Sequence, residues 1–173
     1  MSRFARLALL LIAIVLIQTT ILPYLRVFGV VADLGLVATV AVAYREGPET
    51  GAIFGFAAGL SMDLFLQTPL GLSALAYALT GYLIGLLQGG MLRSSWWVSP
   101  VLGALGGIVG GLLFIGIGAL VGQDQLFALR SLRVVLIASL LDAIVAPIMF
   151  PIVGYAVRGV GPRTPSEVSG PTW

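Results

Sequence analysis

Three carboxylates, Asp33, Asp63 and Asp142, fall inside long apolar stretches of the chain. A charge in such a place is costly unless it is paired or put to use. Two aspartates brought together could share a proton and activate water, as intramembrane aspartyl proteases do. Those enzymes carry Tyr-Asp and Gly-x-Gly-Asp motifs, whereas here Met62 precedes Asp63 and Leu141 precedes Asp142. The other catalytic routes are closed by composition. There is no histidine, cysteine or lysine, so Ser61 and Ser73 have no base. Thiolate nucleophiles, Cys/His zinc sites and disulfides are likewise excluded. No Walker motif or dinucleotide fingerprint is present. A net charge of +2 without a basic run gives no sign of nucleic-acid binding. The expectation is a non-enzyme with no catalytic residue, no metal and no cofactor.

The elements that would carry these acids are set by the solvent the composition demands. Apolar residues make up 59% of the 173 and charged residues 9%, against roughly 25% charged in ordinary soluble domains. The mean hydropathy is +1.09. Nine basic and seven acidic side chains cannot cover a protein of this size in water, so lipid is the expected solvent for most of the surface. Hydropathy places six membrane spans near 5–23, 30–44, 50–67, 70–90, 97–121 and 134–157, each needing roughly 17–25 residues to cross. Together they form one all-α, polytopic transmembrane domain over residues 1–158. The second and third spans are short and are read as tilted or thinly embedded. Arg3 and Arg6 before an apolar run could suit a signal peptide. No small-x-small cleavage site follows, so an uncleaved first helix is preferred. Residues 159–173, rich in Pro, Gly and Ser, read as a disordered cytoplasmic tail.

Arginine distribution sets the orientation. With both termini on one side, that side receives Arg3, Arg6, Arg45, Arg93, Arg158 and Arg163, and the other receives Arg26, Arg130 and Arg133. Six against three puts the termini in the cytoplasm. Asp33, Asp63 and Asp142 then all fall in the outer half, Asp142 roughly 12 Å into its span at 1.5 Å per residue. Sharing that depth, Arg26, Arg130 and Arg133 are the expected partners in an outer-half polar cluster. It is either a pocket or partner socket opening outward, or a structural set in which the acids cap helix ends or pair with arginine to hold the bundle. Asp33, in a first helical turn, fits simple capping. Glu46, Glu49, Asp124 and Glu167 lie in loops or the tail and read as solvated.

Glycine supplies the second pattern. Gly51, Gly55 and Gly59 recur at steps of four and lead to Asp63; Gly81, Gly85 and Gly89 repeat the spacing. Gly103, Gly107 and Gly111, interleaved with Gly106 and Gly110, repeat it again, and Gly118 and Gly122 follow. Lipid is as apolar as leucine, so helices in it associate by close packing, which small residues at i and i+4 permit. Three such stripes predict close crossings among spans three, four and five. Glycine is common in membrane helices, but stripes of three on successive spans favour packing.

The stretch from Asp33 to Gly85, about a third of the chain, resembles the bacterial rod-shape-determining protein MreD family. The features that carry it are the aspartate opening span two, Gly-Phe-x-x-Gly-Leu-x-x-Asp from Gly55 to Asp63, Pro-Leu-Gly-Leu-x-Ala-Leu from Pro69 to Leu75, and the pair Gly81-Tyr82. Ala32 departs from the proline that many relatives place before that aspartate. The resemblance implies a multi-pass protein of the bacterial inner membrane. Its implied fold is a compact six-helix bundle like the substrate-binding subunits of energy-coupling factor transporters. It also implies a scaffold or regulator of peptidoglycan synthesis during cell elongation. The implied partners are MreC and, through it or directly, a RodA-type glycosyltransferase and a class B penicillin-binding protein.

Two other functions compete. A small-molecule-binding subunit of an energy-coupling factor transporter would share the fold. However, the Ala-x-x-x-Ala docking motif is missing from span one, where Leu9 follows Ala5 and Ile12 follows Ala8, and few polar or aromatic residues could line a vitamin pocket. An ion or proton carrier would need polar residues in the inner half to match the outer aspartates, and these are lacking.

Overall fold

The computed structural model describes residues 3–25, 29–65, 69–87, 97–122 and 129–158. Every regular element among them is a helix: α1 (Arg3–Thr20), a 3-10 turn (Leu22–Tyr24), α2 (Leu34–Glu46), α3 (Pro48–Asp63), α4 (Leu72–Gly85), α5 (Val98–Leu120) and α6 (Leu129–Arg158). The expected tail, 159–173, and Gly89 lie outside the described residues. Of the six spans expected, two helices are long and apolar enough to cross a membrane, at Val98–Leu120 and Ser131–Val157. Helices α2 and α4 fall short for a geometric reason. At 1.5 Å per residue, the 13 residues of α2 reach about 20 Å and the 14 of α4 about 21 Å. The hydrocarbon core is roughly 30 Å thick.

Helix α2 is the post around which the others stand. Its ten residues Leu34–Ala43 are all buried, and it touches each of the other five α-helices. The sequence Leu-Gly-Leu-Val-Ala-Thr-Val-Ala-Val-Ala explains how: small and β-branched side chains let a neighbour approach from every direction. Thr39, on this helix, is fully buried and its hydroxyl donates to the Gly35 carbonyl at 2.8 Å. Thr80 in α4 does the same to Ala76 at 2.8 Å. These back-bonds satisfy hydroxyls that have no water to turn to. The post ends at Gly47, whose φ of +94° turns the chain sharply enough for Pro48 to begin α3.

The glycine stripes resolve into specific pairings. A Cβ added at Gly59 would lie 2.3 Å from the Ser73 carbonyl oxygen, one at Gly55 2.5 Å from that of Tyr77, and one at Gly81 2.4 Å from that of Gly51. At Gly85 it would stand 2.4 Å from the Pro48 Cα. Steps of four on α3 thus meet steps of four on α4 in antiparallel register, backbone against backbone.

The expected crossing of spans three and five is not made: α3 and α5 share no contact among the described residues. Helix α2 occupies the intervening space, and α5 faces elsewhere. Gly103, Gly107 and Gly111 lie on α6, against Ala146, Ser139 and Val135. Gly106 and Gly110 lie on α2, against Val40 and Leu36. The interleaved glycines are two stripes on adjacent faces, one for each partner.

Polarity is distributed inside out. The buried polar side chains are Thr39, Asp63, Ser73, Thr80, Ser139 and Asp142, while Leu136, Leu140, Ile144, Ile148 and Ile152 form an exposed stripe along α6. Leu9, Ile12 and Leu16 do likewise on α1 and Ile53 and Phe56 on α3. Single exposed leucines are ordinary, but continuous apolar stripes are not.

The ladder sets a stability contrast. Gly59→Ala forces α3 and α4 apart and is expected to cost about 1–3 kcal/mol. Gly116→Ala, on an α5 face with nothing within 4 Å, is expected to be neutral or to stabilise by up to about 1 kcal/mol through helix propensity. Thermal unfolding of the purified variants in one detergent measures both; equal effects would refute the ladder.

Candidate functional site: an acid-lined cavity at one end of the bundle

The starts of α2, α4 and α6 and the ends of α3 and α5 meet at one end of the molecule, and the three aspartates of the apolar stretches lie there. Each does something different. Asp63, the last residue of α3 and 2% exposed, reaches across the turn to the first turn of α4. Its Oδ2 accepts the N–H groups of Gly71 at 2.8 Å and Ala74 at 3.3 Å, and its Oδ1 accepts that of Ser73 at 3.1 Å. The intervening Leu72 N–H goes to the Pro69 carbonyl at 3.2 Å. The opening N–H groups of α4, otherwise without acceptors, are thereby satisfied. Gly71, at φ +99°, supplies the left-handed turn that delivers them.

Of the roles open to Asp63 from the sequence, among them capping a helix end and pairing with an arginine, its described contacts are those of a cap. Backbone amides at a helix start are obligatory donors already at hand, and they bring a favourable dipole without a second charge to desolvate. Of the three arginines, the one whose side chain is described does not join the acids. Arg133 is exposed on α6, Arg130 lies in the first turn of α6 with its side chain outside the described residues, and Arg26 lies outside them altogether.

Asp33 caps α2, its Oδ1 accepting the Leu36 N–H at 3.0 Å. The Tyr77 hydroxyl of α4 donates to its Oδ2. Beside it, Gln18 of α1 accepts the Leu34 N–H at 3.0 Å and donates to the Ala32 carbonyl at 3.1 Å, so one amide ties α1 to the start of α2. The Asp33 N–H in turn donates to Asp142 Oδ1 of α6 at 2.7 Å. Two acids 109 positions apart are thus joined through one backbone amide.

Asp142 differs from the other two. It is 1% exposed, yet its Oδ2 has no hydrogen-bond partner. Room for that oxygen is left by Gly107 of α5, where a Cβ would stand 2.9 Å away. Magnitudes separate the roles. Three amide bonds to an ionised carboxylate return roughly 1.5–3 kcal/mol each, enough to offset burial of several kcal/mol. One bond cannot, and an unsatisfied buried oxygen costs about 1–3 kcal/mol.

Asp33, Asp142 and Tyr77, with the hydroxyl residues Ser73 and Ser131, form the polar wall of a cavity of about 410 Å³. Leu36, Phe114, Ile115, Val134, Val135 and Ala138 form the apolar wall, and Gly107, Gly110 and Gly111 complete it. The aromatic residues in this lining are Tyr77 and Phe114. Gly107, Gly110 and Gly111 of α5 line this pocket while also seating Ser139, Leu36 and Val135. Sequence reasoning missed Tyr77 and Gln18. Tyr77 shares the four-residue register of Gly81 and Gly85, a signal that was available; its pairing with Asp33 was not. Comparison with protein-family models, with curated proteins and with solved structures finds no match for this chain.

The division of labour gives a second prediction. Asp63→Asn keeps one acceptor oxygen and Asp63→Ala keeps none, so losses of about 1–3 kcal/mol and more are expected in that order. Asp142→Asn retains Oδ1 and is expected to lose less than about 1 kcal/mol. Unfolding midpoints of the three purified variants decide this, and a larger loss for Asp142→Asn than for Asp63→Ala would reverse the assignment.

Proposed function

We propose that the chain is a six-span membrane protein akin to the MreD family, acting as a non-enzymatic scaffold or regulator of the bacterial cell-elongation machinery together with MreC. The observation that carries the reading is a coincidence of motif and architecture. The segment with the family-like motifs, Asp33 to Gly85, is the one that builds α2, α3 and α4, the central post and its glycine-laddered hairpin. Its signature residues serve packing and capping: Gly55 and Gly59 seat α4, and Asp63 holds the first turn of α4. Residues spent in this way suit a protein whose product is a shaped surface. The continuous apolar stripes on α1, α3 and α6 support lipid as its surroundings. The two long helices cross directly, and the four shorter ones cross as parts of the bundle with their flanking turns. With the termini in the cytoplasm of an inner-membrane protein, the acidic end faces outward. There it would meet a partner with a periplasmic part, as MreC is, and through it the RodA-type glycosyltransferase and class B penicillin-binding protein.

One observation favours a second reading. The cavity lined by Asp33, Tyr77 and Asp142 would suit a small-molecule-binding subunit of an energy-coupling factor transporter. Against it stands the missing Ala-x-x-x-Ala motif of α1.

Depletion in a rod-shaped host is expected to round the cells, and the tagged chain is expected to co-purify with MreC. Unchanged shape together with no co-purification would sink the scaffold reading. An adjacent gene for a transporter ATPase, in place of one for an MreC-like protein, would favour the second.

A further inference from the structure

The geometry points to a binding site in the cavity between α2, α4, α5 and α6 for a small amphiphile bearing a protonated amine, held by Asp142. The inference rests on the cavity alone and holds whether the chain serves as a scaffold or as a transport subunit. Its first observation is the Asp142 Oδ2, an acceptor without a donor on a side chain 1% exposed. The cavity wall runs past it at Gly107, the residue whose missing side chain gives that oxygen its space.

The second observation is charge. Two carboxylates, Asp33 and Asp142, line the cavity, and none of its described lining residues is basic. Asp33 has both oxygens engaged, by Leu36 and Tyr77, which leaves Asp142 to receive an incoming donor. In a medium of low dielectric, a cation next to an uncompensated carboxylate gains far more than it would in water. A metal ion does not meet the requirement. No group of three or more His, Cys, Asp or Glu able to hold one occurs among the described residues, and hard cations take six or more oxygens. An organic ammonium needs fewer acceptors and can bring its own apolar body.

The third observation is shape. The volume of about 410 Å³ falls in the range of small-ligand pockets, roughly 300–1,000 Å³. Its apolar wall, with Leu36, Phe114 and Val135, fits a hydrocarbon or aromatic tail.

The test uses the full chain in detergent, with benzylamine and octylamine as probes and benzyl alcohol and benzoate as uncharged and anionic controls. Binding is followed by ligand-observed NMR and by the shift in unfolding midpoint. The amines are expected to bind at least tenfold more tightly than the alcohol and to raise the midpoint, with benzoate inert. Asp142→Asn is expected to lose at least tenfold in amine affinity. Ala138→Leu, which fills the cavity and keeps the carboxylate, is expected to lose a similar factor. The same two variants report folding through their own midpoints. Should Asp142→Asn fail to fold, wild-type protein treated with a hydrophobic carbodiimide is expected to be modified at Asp142 and protected by the amine. Equal binding of amine and alcohol overturns the proposal, as does amine binding that survives both substitutions. Absence of amine binding, with Asp142 cross-linking to a lysine of a co-purified protein, also overturns it and makes the occupant a protein side chain.

Discussion

The opening N–H groups of a helix have no intrahelical acceptor, and in an apolar interior no water is present to take their place. That constraint governs the acidic end of this molecule. Helix α4 begins in the interior, and the carboxylate of Asp63 supplies acceptors for three of its amides. Helix α2 begins beside it and is served by Asp33, Gln18 and Asp142 together. Four elements contribute to these caps, and the helices can start where they do only because the others end where they do. A carboxylate that is expensive in an apolar medium is cheaper than three orphaned amides, and the fold is arranged around that inequality.

The same economy explains the glycines. The stripes on α3 and α4 bring backbones together, and the two on adjacent faces of α5 admit α2 side chains and the surface of α6, at separations that would exclude even a methyl group. Such approach yields many dispersion contacts. It also has a by-product. Gly107, Gly110 and Gly111 seat Ser139, Leu36 and Val135 and also line the cavity, whose lining includes the third aspartate with its unsatisfied oxygen. Scaffold and cavity are thus consequences of one residue type used in two ways.

The acids mark the boundary of what spacing reveals. Asp33, Asp63 and Asp142 were legible as belonging to one end, because turn positions and helix counting fix depth along the chain. Their partners were not. Arginines at the same depth offered the simplest electrostatic match, yet the amides of neighbouring helix starts were nearer and carried no desolvation cost of their own. Tyr77 shared the register of Gly81 and Gly85 but gave no sign of its pairing with Asp33, and Gln18 gave none of its role, since a glutamine in an apolar helix has many tolerable uses.

What the sequence by itself determined is local and periodic: an all-helical chain, its helix positions, an exterior of continuous apolar stripes and glycine registers at steps of four. These follow from composition and from the 3.6-residue turn, which link residues only a few positions apart. Tertiary structure alone decided that α2 is the buried post, that α5 turns its glycines to α6 and α2 and not to α3, and that the Asp33 amide meets Asp142. The last is a contact across 109 positions. No local spacing encodes it, because it exists only where the packed helices bring two distant backbones within hydrogen-bond reach.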